Sequence, residues 1–280
     1  MIRLATASDV GRLKWIWHEC FGDPEPYIEF FFQNAFEPQK TVVFEADGQV
    51  CSMFFLLDST VWIAGAEYQA AYLYAAATLP EYRSRGFMGR MIQFSGELCH
   101  AMGKDYIVLV PAGESLFDYY SRFGFQTYFY DAPEVWRPSS NACRAGQRPL
   151  PQADSLTIEQ IRRAAVRKSG GLMWNGIQLD YVLREHRFTG GEIFCTEFGY
   201  ALYHRSSDSC AVDEMIALPG TEERLKRDFL DYIDAREIQI VRPCAAGLVP
   251  RARGMILPLH DTLRAAPETT GYPYIGLTLG

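Results

Sequence analysis

The chain has 280 residues, 48% hydrophobic and 22% charged, with a formal net charge of −7 and a pI near 5.3. That is one large domain or two ordinary ones of a soluble globular protein. The acidic balance, with no Lys/Arg run beyond Arg162-Arg163 and Arg167-Lys168, argues against a nucleic-acid partner, and no apolar run is long enough to span a membrane.

Met1-Ile2-Arg3-Leu4 leads straight into polar sequence, so no signal peptide is expected. Ser8-Asp9 caps a helix carrying Val10, Leu13, Trp15, Ile16 and Trp17. Pro24-Glu25-Pro26 interrupts it, and the aromatic run around Tyr27, Phe31 and Phe36 predicts a second, buried helix. Two hairpins follow: 41–45 with 50–57 across Asp47-Gly48, and 60–63 with 68–79 across Ala64-Gly65. Then come a helix to about Met102, a buried strand at 105–110, a helix at 114–122 and a strand at 125–130. The Pro-, Ser-, Gly- and Arg-rich stretch 137–153 reads as a linker. The second half predicts helices at 157–168 and 174–187, and strands at 192–196, 200–204 and 210–218. A helix at 221–235 and strands at 238–241, 254–259 and 272–279 complete it. The two halves share an element order without a residue-level repeat. Expected domains are 1–136 and 154–280, joined by 137–153.

The seven cysteines are odd in number and lack CxxC spacing, which points to reduced thiols in a cytoplasmic protein. The five histidines are scattered, and no metal site is expected.

The informative stretch is Ala75-Ala76-Ala77-Thr78-Leu79-Pro80-Glu81-Tyr82-Arg83-Ser84-Arg85-Gly86-Phe87-Met88-Gly89-Arg90, a strand, a short loop and a helix start. Unpaired amides at a helix start hold phosphate oxygens. Gly86 lets the backbone approach a pyrophosphate, and Arg83, Arg85 and Arg90 add positive charge. No Lys-Ser/Thr follows the glycine, which argues against a nucleoside-triphosphate loop, and the glycine spacing fails the dinucleotide fingerprint.

Arg83-Ser84-Arg85-Gly86 resembles the acetyl-CoA loop of the GNAT superfamily, Arg/Gln-x-x-Gly-x-Gly/Ala, with Met88 in the sixth place and Gly89 one later. Tyr120-Ser121-Arg122-Phe123-Gly124-Phe125 resembles a later motif of the family, and the whole resembles the enhanced-intracellular-survival group. The likeness covers about residues 1–135. The second half is similar to that group's degenerate GNAT-like domain by element order and by Arg253-Gly254-Met255-Ile256-Leu257-Pro258-Leu259, and the group's sterol-carrier-like domain has no room here. The implied fold class is α/β (α+β): two tandem GNAT-like domains, each a mixed, mostly antiparallel sheet flanked by helices, the second degenerate.

The resemblance implies acetyl-CoA as co-substrate, in a gap between the strands ending at Leu79 and Val110, and no metal. Ala76, Ala77, Thr78, Leu79, Arg83, Ser84, Arg85, Gly86, Phe87, Met88, Gly89 and Arg90 would bind it, with backbone groups of Ala76 and Thr78 pairing with the pantetheine. Tyr120 would be the general acid and Tyr119 core or pocket wall. The family's strand glutamate is missing: Ala70 and Ala71 stand there, after Glu67 and Gln69. Glu114, Asp118 and the Gly280 carboxylate are the other carboxylates considered.

Pro219-Gly220-Thr221-Glu222-Glu223 replaces the phosphate loop in the second half, so that half is expected not to bind CoA. It is left to complete the acceptor pocket or to mediate contacts of a homo-oligomer. The leading expectation is an N-acetyltransferase acting by direct transfer on a small amine, such as an aminoglycoside, polyamine or amino sugar. Its rival is a CoA-binding sensor or interaction module without catalysis.

Overall fold

Elements of the chain follow its apolar periodicity and its Gly and Pro breaks. The computed structural model describes residues 1–138, 153–245, 247–260 and 271–279. Most of the expected linker, 139–152, and the Gly280 carboxylate lie outside the described residues.

In chain order come β1 (Ile2–Leu4), α1 (Val10–Phe21), α2 (Glu25–Asn34), β2 (Thr41–Ala46), β3 (Gln49–Ile63) and β4 (Ala66–Thr78). Then follow α3 (Phe87–Ala101), β5 (Tyr106–Leu109), α4 (Glu114–Ser121) and β6 (Gln126–Trp136). Next are α5 (Ser155–Ser169), β7 (Gly171–Met173), α6 (Gly176–Phe188), β8 (Glu192–Thr196), β9 (Gly199–Arg205) and β10 (Ser209–Ala217). The series ends with α7 (Glu222–Tyr232), β11 (Glu237–Arg242) and β12 (Arg251–Pro258).

Two expectations need correction, and two short strands were not expected. The strands expected at 50–57 and 60–63 are one, β3. Asp58, whose polarity suggests a break, sits within it on ion pairs of 2.6 Å to both Lys40 and Lys104. No strand spans 271–279, where Tyr274 makes a single bridge to Gly171. Strands β1 and β7, three residues each, are too short to leave a period in the sequence.

Two compact units form, and both are discontinuous in sequence, whereas the expected boundaries at 136 and 154 follow linker composition. Unit 1 holds Met1–Thr60, Tyr68–Thr127 and 255–260; unit 2 holds Val61–Glu67, Tyr128–Gly254 and 271–279. Unit 1 has the strand order β1-β2-β3-β4-β5-β12. Strand β1 pairs antiparallel with β2, and β2 with β3. Strand β4 runs parallel to β5, and Met255–Pro258 of β12 close the far side of β5 antiparallel. Trp17 anchors the core of this unit, 4.8 Å from the Phe31 ring and 5.5 Å from Phe55.

Unit 2 has the order β6-β11-β10-β9-β8, with β10 and β11 parallel and the other neighbours antiparallel. The fold class is as expected, mixed and mostly antiparallel sheets flanked by helices. One core lies under α7, where Phe229 meets Phe194 and Tyr203. A second is polar: Arg162 of α5 is fully buried and ion-paired to Glu214 of β10. Arg162 also donates to the carbonyls of Leu172 and Ile275, and Tyr200 donates to Glu214 at 2.5 Å. A buried charge is tolerated only with such pairing. Among the described residues no helix is long and apolar enough to cross a membrane.

Candidate functional site

Unit 1 opens where two neighbouring strands stop pairing. The parallel register runs Ala70↔Tyr106, Ala71↔Ile107 and Tyr72↔Val108, although β4 continues to Thr78. Ala75 interrupts β4 with left-handed backbone at φ +49°. An irregularity of this kind bends a strand away from its partner. The far half of β4 thus presents an edge to a cavity of about 460 Å³, within the range of small-molecule sites.

Beyond β4, Pro80–Tyr82 form a tight 3-10 turn. Ser84 and Gly86 then take left-handed backbone at φ +61° and φ +75°. Gly86 serves as N-cap of α3, whose first helical bond runs from Arg90 N to Gly86 O. The amides of Phe87, Met88 and Gly89 therefore have no acceptor within the helix. Left-handed turns next to a helix start make a concave set of N–H donors suited to an anion.

Ala76, Ala77, Thr78, Arg83, Ser84, Gly86, Phe87 and Met88 line the cavity. The other residues expected to bind the co-substrate do not. Leu79 is buried and gives its amide to Cys51 O. Arg85 donates to Glu81 O at 2.7 Å and stacks on Tyr82, while Arg90 lies over the Phe44 ring. A side chain at Gly89 would run into Phe123. The carbonyl of Thr78, expected to be free, already accepts from Arg83 Nε at 2.9 Å.

Tyr120 enters from α4 with its residue 8% exposed and its ring on the cavity. Burial, then the neighbouring Tyr119, pushes its phenol up to about 12. Tyr119 is also a wall of the cavity, at 5.4 Å from the Tyr120 ring.

Sequence reasoning missed Cys20 and Phe21, which reach the cavity from the C-terminal end of α1, and Leu116 and Tyr82. No local pattern marks the first pair, since packing of α1 alone brings it there. Among the described residues, none that lines the cavity is a carboxylate. Ala70 and Ala71, at the place of the missing strand glutamate, are buried on β4.

The splayed strands and the loop before α3 agree with the comparison of the sequence with family models. Residues 1–128 match the model described as the acetyltransferase (GNAT) domain. This part of the chain, a little under half of the 280 residues, is similar to the GNAT acetyltransferases.

The GNAT fold is shared by solved structures that align with nearly the whole chain. Eis1 from Mycobacterium abscessus is 15% identical, with a TM-score of 0.71 over 94% of this chain and 74% of that one. A GCN5-related N-acetyltransferase from Anabaena variabilis is 14% identical, with a TM-score of 0.74 over 95% and 74%. Another from Kribbella flavida is 16% identical, with a TM-score of 0.72 over 91% and 70%. At such identities the likeness is one of fold. No curated protein matches the sequence.

Proposed function

We propose that this protein is an acetyl-CoA-dependent N-acetyltransferase that acts on a small amine by direct transfer. The observation that carries the proposal is that one cavity joins the open edge of β4, the amides at the start of α3 and the Tyr120 ring. The residues fit the co-substrate in three places. The turns at Ser84 and Gly86, with the α3 amides and Arg83, suit a pyrophosphate. The β4 edge beyond Tyr72 offers backbone groups to an amide-bearing arm. Tyr120 lines the same cavity and is the residue proposed to turn its hydroxyl to the thioester.

Bound acetyl-CoA supplies an activated acetyl thioester. The chain's own groups hold and orient it, with Phe87, Met88 and Leu116 as apolar walls. The amine nitrogen forms the new C–N bond as the C–S bond breaks. Tyr120 gives its proton to the departing sulfur, and the proton lost by the amine returns to the phenolate through solvent. Burial keeps the Tyr120 phenol protonated at neutral pH, and because a phenol is a weaker acid than a thiol its role as donor rests on its position beside the sulfur.

A second reading has one observation in its favour: among the described residues no carboxylate lines the cavity to accept the amine proton. On that reading the protein binds CoA as a sensor or interaction module. A thiol-release assay over a panel of aminoglycosides, polyamines and amino sugars separates the two. Turnover on any amine supports the enzyme; CoA binding without turnover supports the module.

Unit 2 is proposed to be non-catalytic, because Glu222 and Glu223 occupy the first turn of α7 where a pyrophosphate would lie. Calorimetry is expected to give one acetyl-CoA per chain, and two would overturn this. The free thiols Cys51, Cys99, Cys195 and Cys210, buried and unbridged, fit a reducing cytoplasm.

A further inference from the structure

Unit 2 brings together three groups that are scattered in the sequence: His186 on α6, His204 on β9 and Asp213 on β10. Asp213 is the extra residue of a bulge, since Val212 pairs with Tyr203 and Glu214 with Leu202. Bulges re-aim side chains. Asp213 Oδ2 lies 2.8 Å from His204 Nδ1 and 3.6 Å from His186 Nδ1. One ligand atom from each residue falls within 4.8 Å of the other two.

Hydrogen bonds decide which ring nitrogens are free. His186 Nε2 lies 3.0 Å from the carbonyl of Glu192. A carbonyl only accepts, so this nitrogen carries the proton. The residue is 5% exposed. Its Nδ1 is then a lone pair facing Asp213. His204 Nδ1 lies 2.8 Å from Asp213 Oδ2, and a carboxylate only accepts, so without a cation this nitrogen carries the proton and donates to Asp213. A cation here would take the place of that proton, and Thr189 Oγ1, 3.3 Å from His204 Nε2, would accept from the other ring nitrogen. Gly191 preserves the arrangement, since a Cβ there would strike the His186 ring.

We propose that His186 Nδ1, His204 Nδ1 and Asp213 Oδ2 form a binding site for a divalent cation of the zinc class. Two imidazoles and one carboxylate suit a borderline ion, whereas magnesium and calcium take oxygen ligands. Tetrahedral zinc with bonds of about 2.0 Å separates its ligand atoms by roughly 3.3 Å. The observed 2.8 and 3.6 Å bracket that separation. The contacts of both Nε2 atoms, to a backbone carbonyl and a hydroxyl, are the outer hydrogen bonds that orient metal-bound histidines. His204 and Asp213 are 36% and 45% exposed, which leaves the remaining position to water. Such an ion would tie α6 to the β9–β10 hairpin, independently of acyl transfer in unit 1.

The test uses the full chain, stripped with a chelator and titrated with Zn²⁺ by calorimetry, with Co²⁺ absorption as a second readout. One zinc per chain is expected. His204→Gln and Asp213→Asn should each weaken binding at least about tenfold with unchanged far-UV circular dichroism, because both side chains are partly exposed. Binding that is unchanged in both variants places the metal on other groups and overturns the proposal. So does the absence of binding at sub-millimolar zinc, which leaves the His204–Asp213 hydrogen bond as the reason for the cluster.

Discussion

The ring of Phe123 fills the space that a side chain at position 89 would need: a Cβ on Gly89 meets Phe123 Cε1 and Cζ at 2.7 Å. Gly89 is therefore a packing residue between α3 and the end of α4, while Gly86 supplies the left-handed turn. The displaced second glycine of the loop motif has a physical reason that lies in helix packing. Gly89→Val should cost about 1–3 kcal/mol of stability through overpacking. Combined with Phe123→Ala it should cost less than the sum of the two changes. Urea unfolding of the single and double variants reads this directly, and strict additivity contradicts it.

Acetyl-CoA should raise the thermal stability of the protein, by about 2.7 kcal/mol at 100 times its dissociation constant. Gly86→Glu should remove that shift, because a carboxylate then stands among the donors of the loop. The Cβ itself has open space, but φ is +75°, so the backbone cost should be about 1–2 kcal/mol. A variant that folds and still shows the full shift refutes the placement of the pyrophosphate.

Tyr120→Phe should lower turnover by about 10²–10⁴-fold and leave acetyl-CoA affinity nearly unchanged. The ring is kept, and the phosphate-binding groups lie elsewhere in the cavity. Tyr119→Phe is the control, since it alters a hydroxyl on the same wall without removing the proposed acid. Steady-state kinetics with an accepted amine distinguish them; equal activity in both variants removes Tyr120 from the chemistry.

Burial holds Tyr106 and Tyr120 near pKa 12, above the value of about 10 expected unfolded. The folded state thus binds these protons more tightly than the unfolded state. Their contribution is fully present below about pH 10 and is lost as pH rises towards 12. Denaturant midpoints measured from pH 8 to 11.5 should be flat and then fall. Tyr120→Phe should flatten part of the fall, and a fall that begins well below pH 9 points to other groups.

Side chains that act through local backbone were legible in the sequence. The Arg83–Gly86 turn, the helix after it and Tyr120 on α4 all follow from short-range pattern. What depended on distant partners was not. Asp58 looks like a strand end until Lys40 and Lys104 are beside it. Cys20 and Phe21 reach the cavity only by the packing of α1. His186, His204 and Asp213 have no spacing that marks a ligand set, because a helix, a strand and a bulge are needed to gather them.

The strand beside β5 comes from near the other end of the chain, and this constrains how the protein can be made. During synthesis the sheet of unit 1 must wait for Met255–Pro258 to leave the ribosome before β5 gains its second neighbour. Until then Tyr106-Ile107-Val108-Leu109, an apolar strand, has an open edge of the kind that recruits other chains. A fragment ending at residue 136 would keep the loop, the cavity and Tyr120 in its sequence and still expose that edge. Chaperone dependence and aggregation of such a fragment, more than loss of chemistry, are what its expression would report.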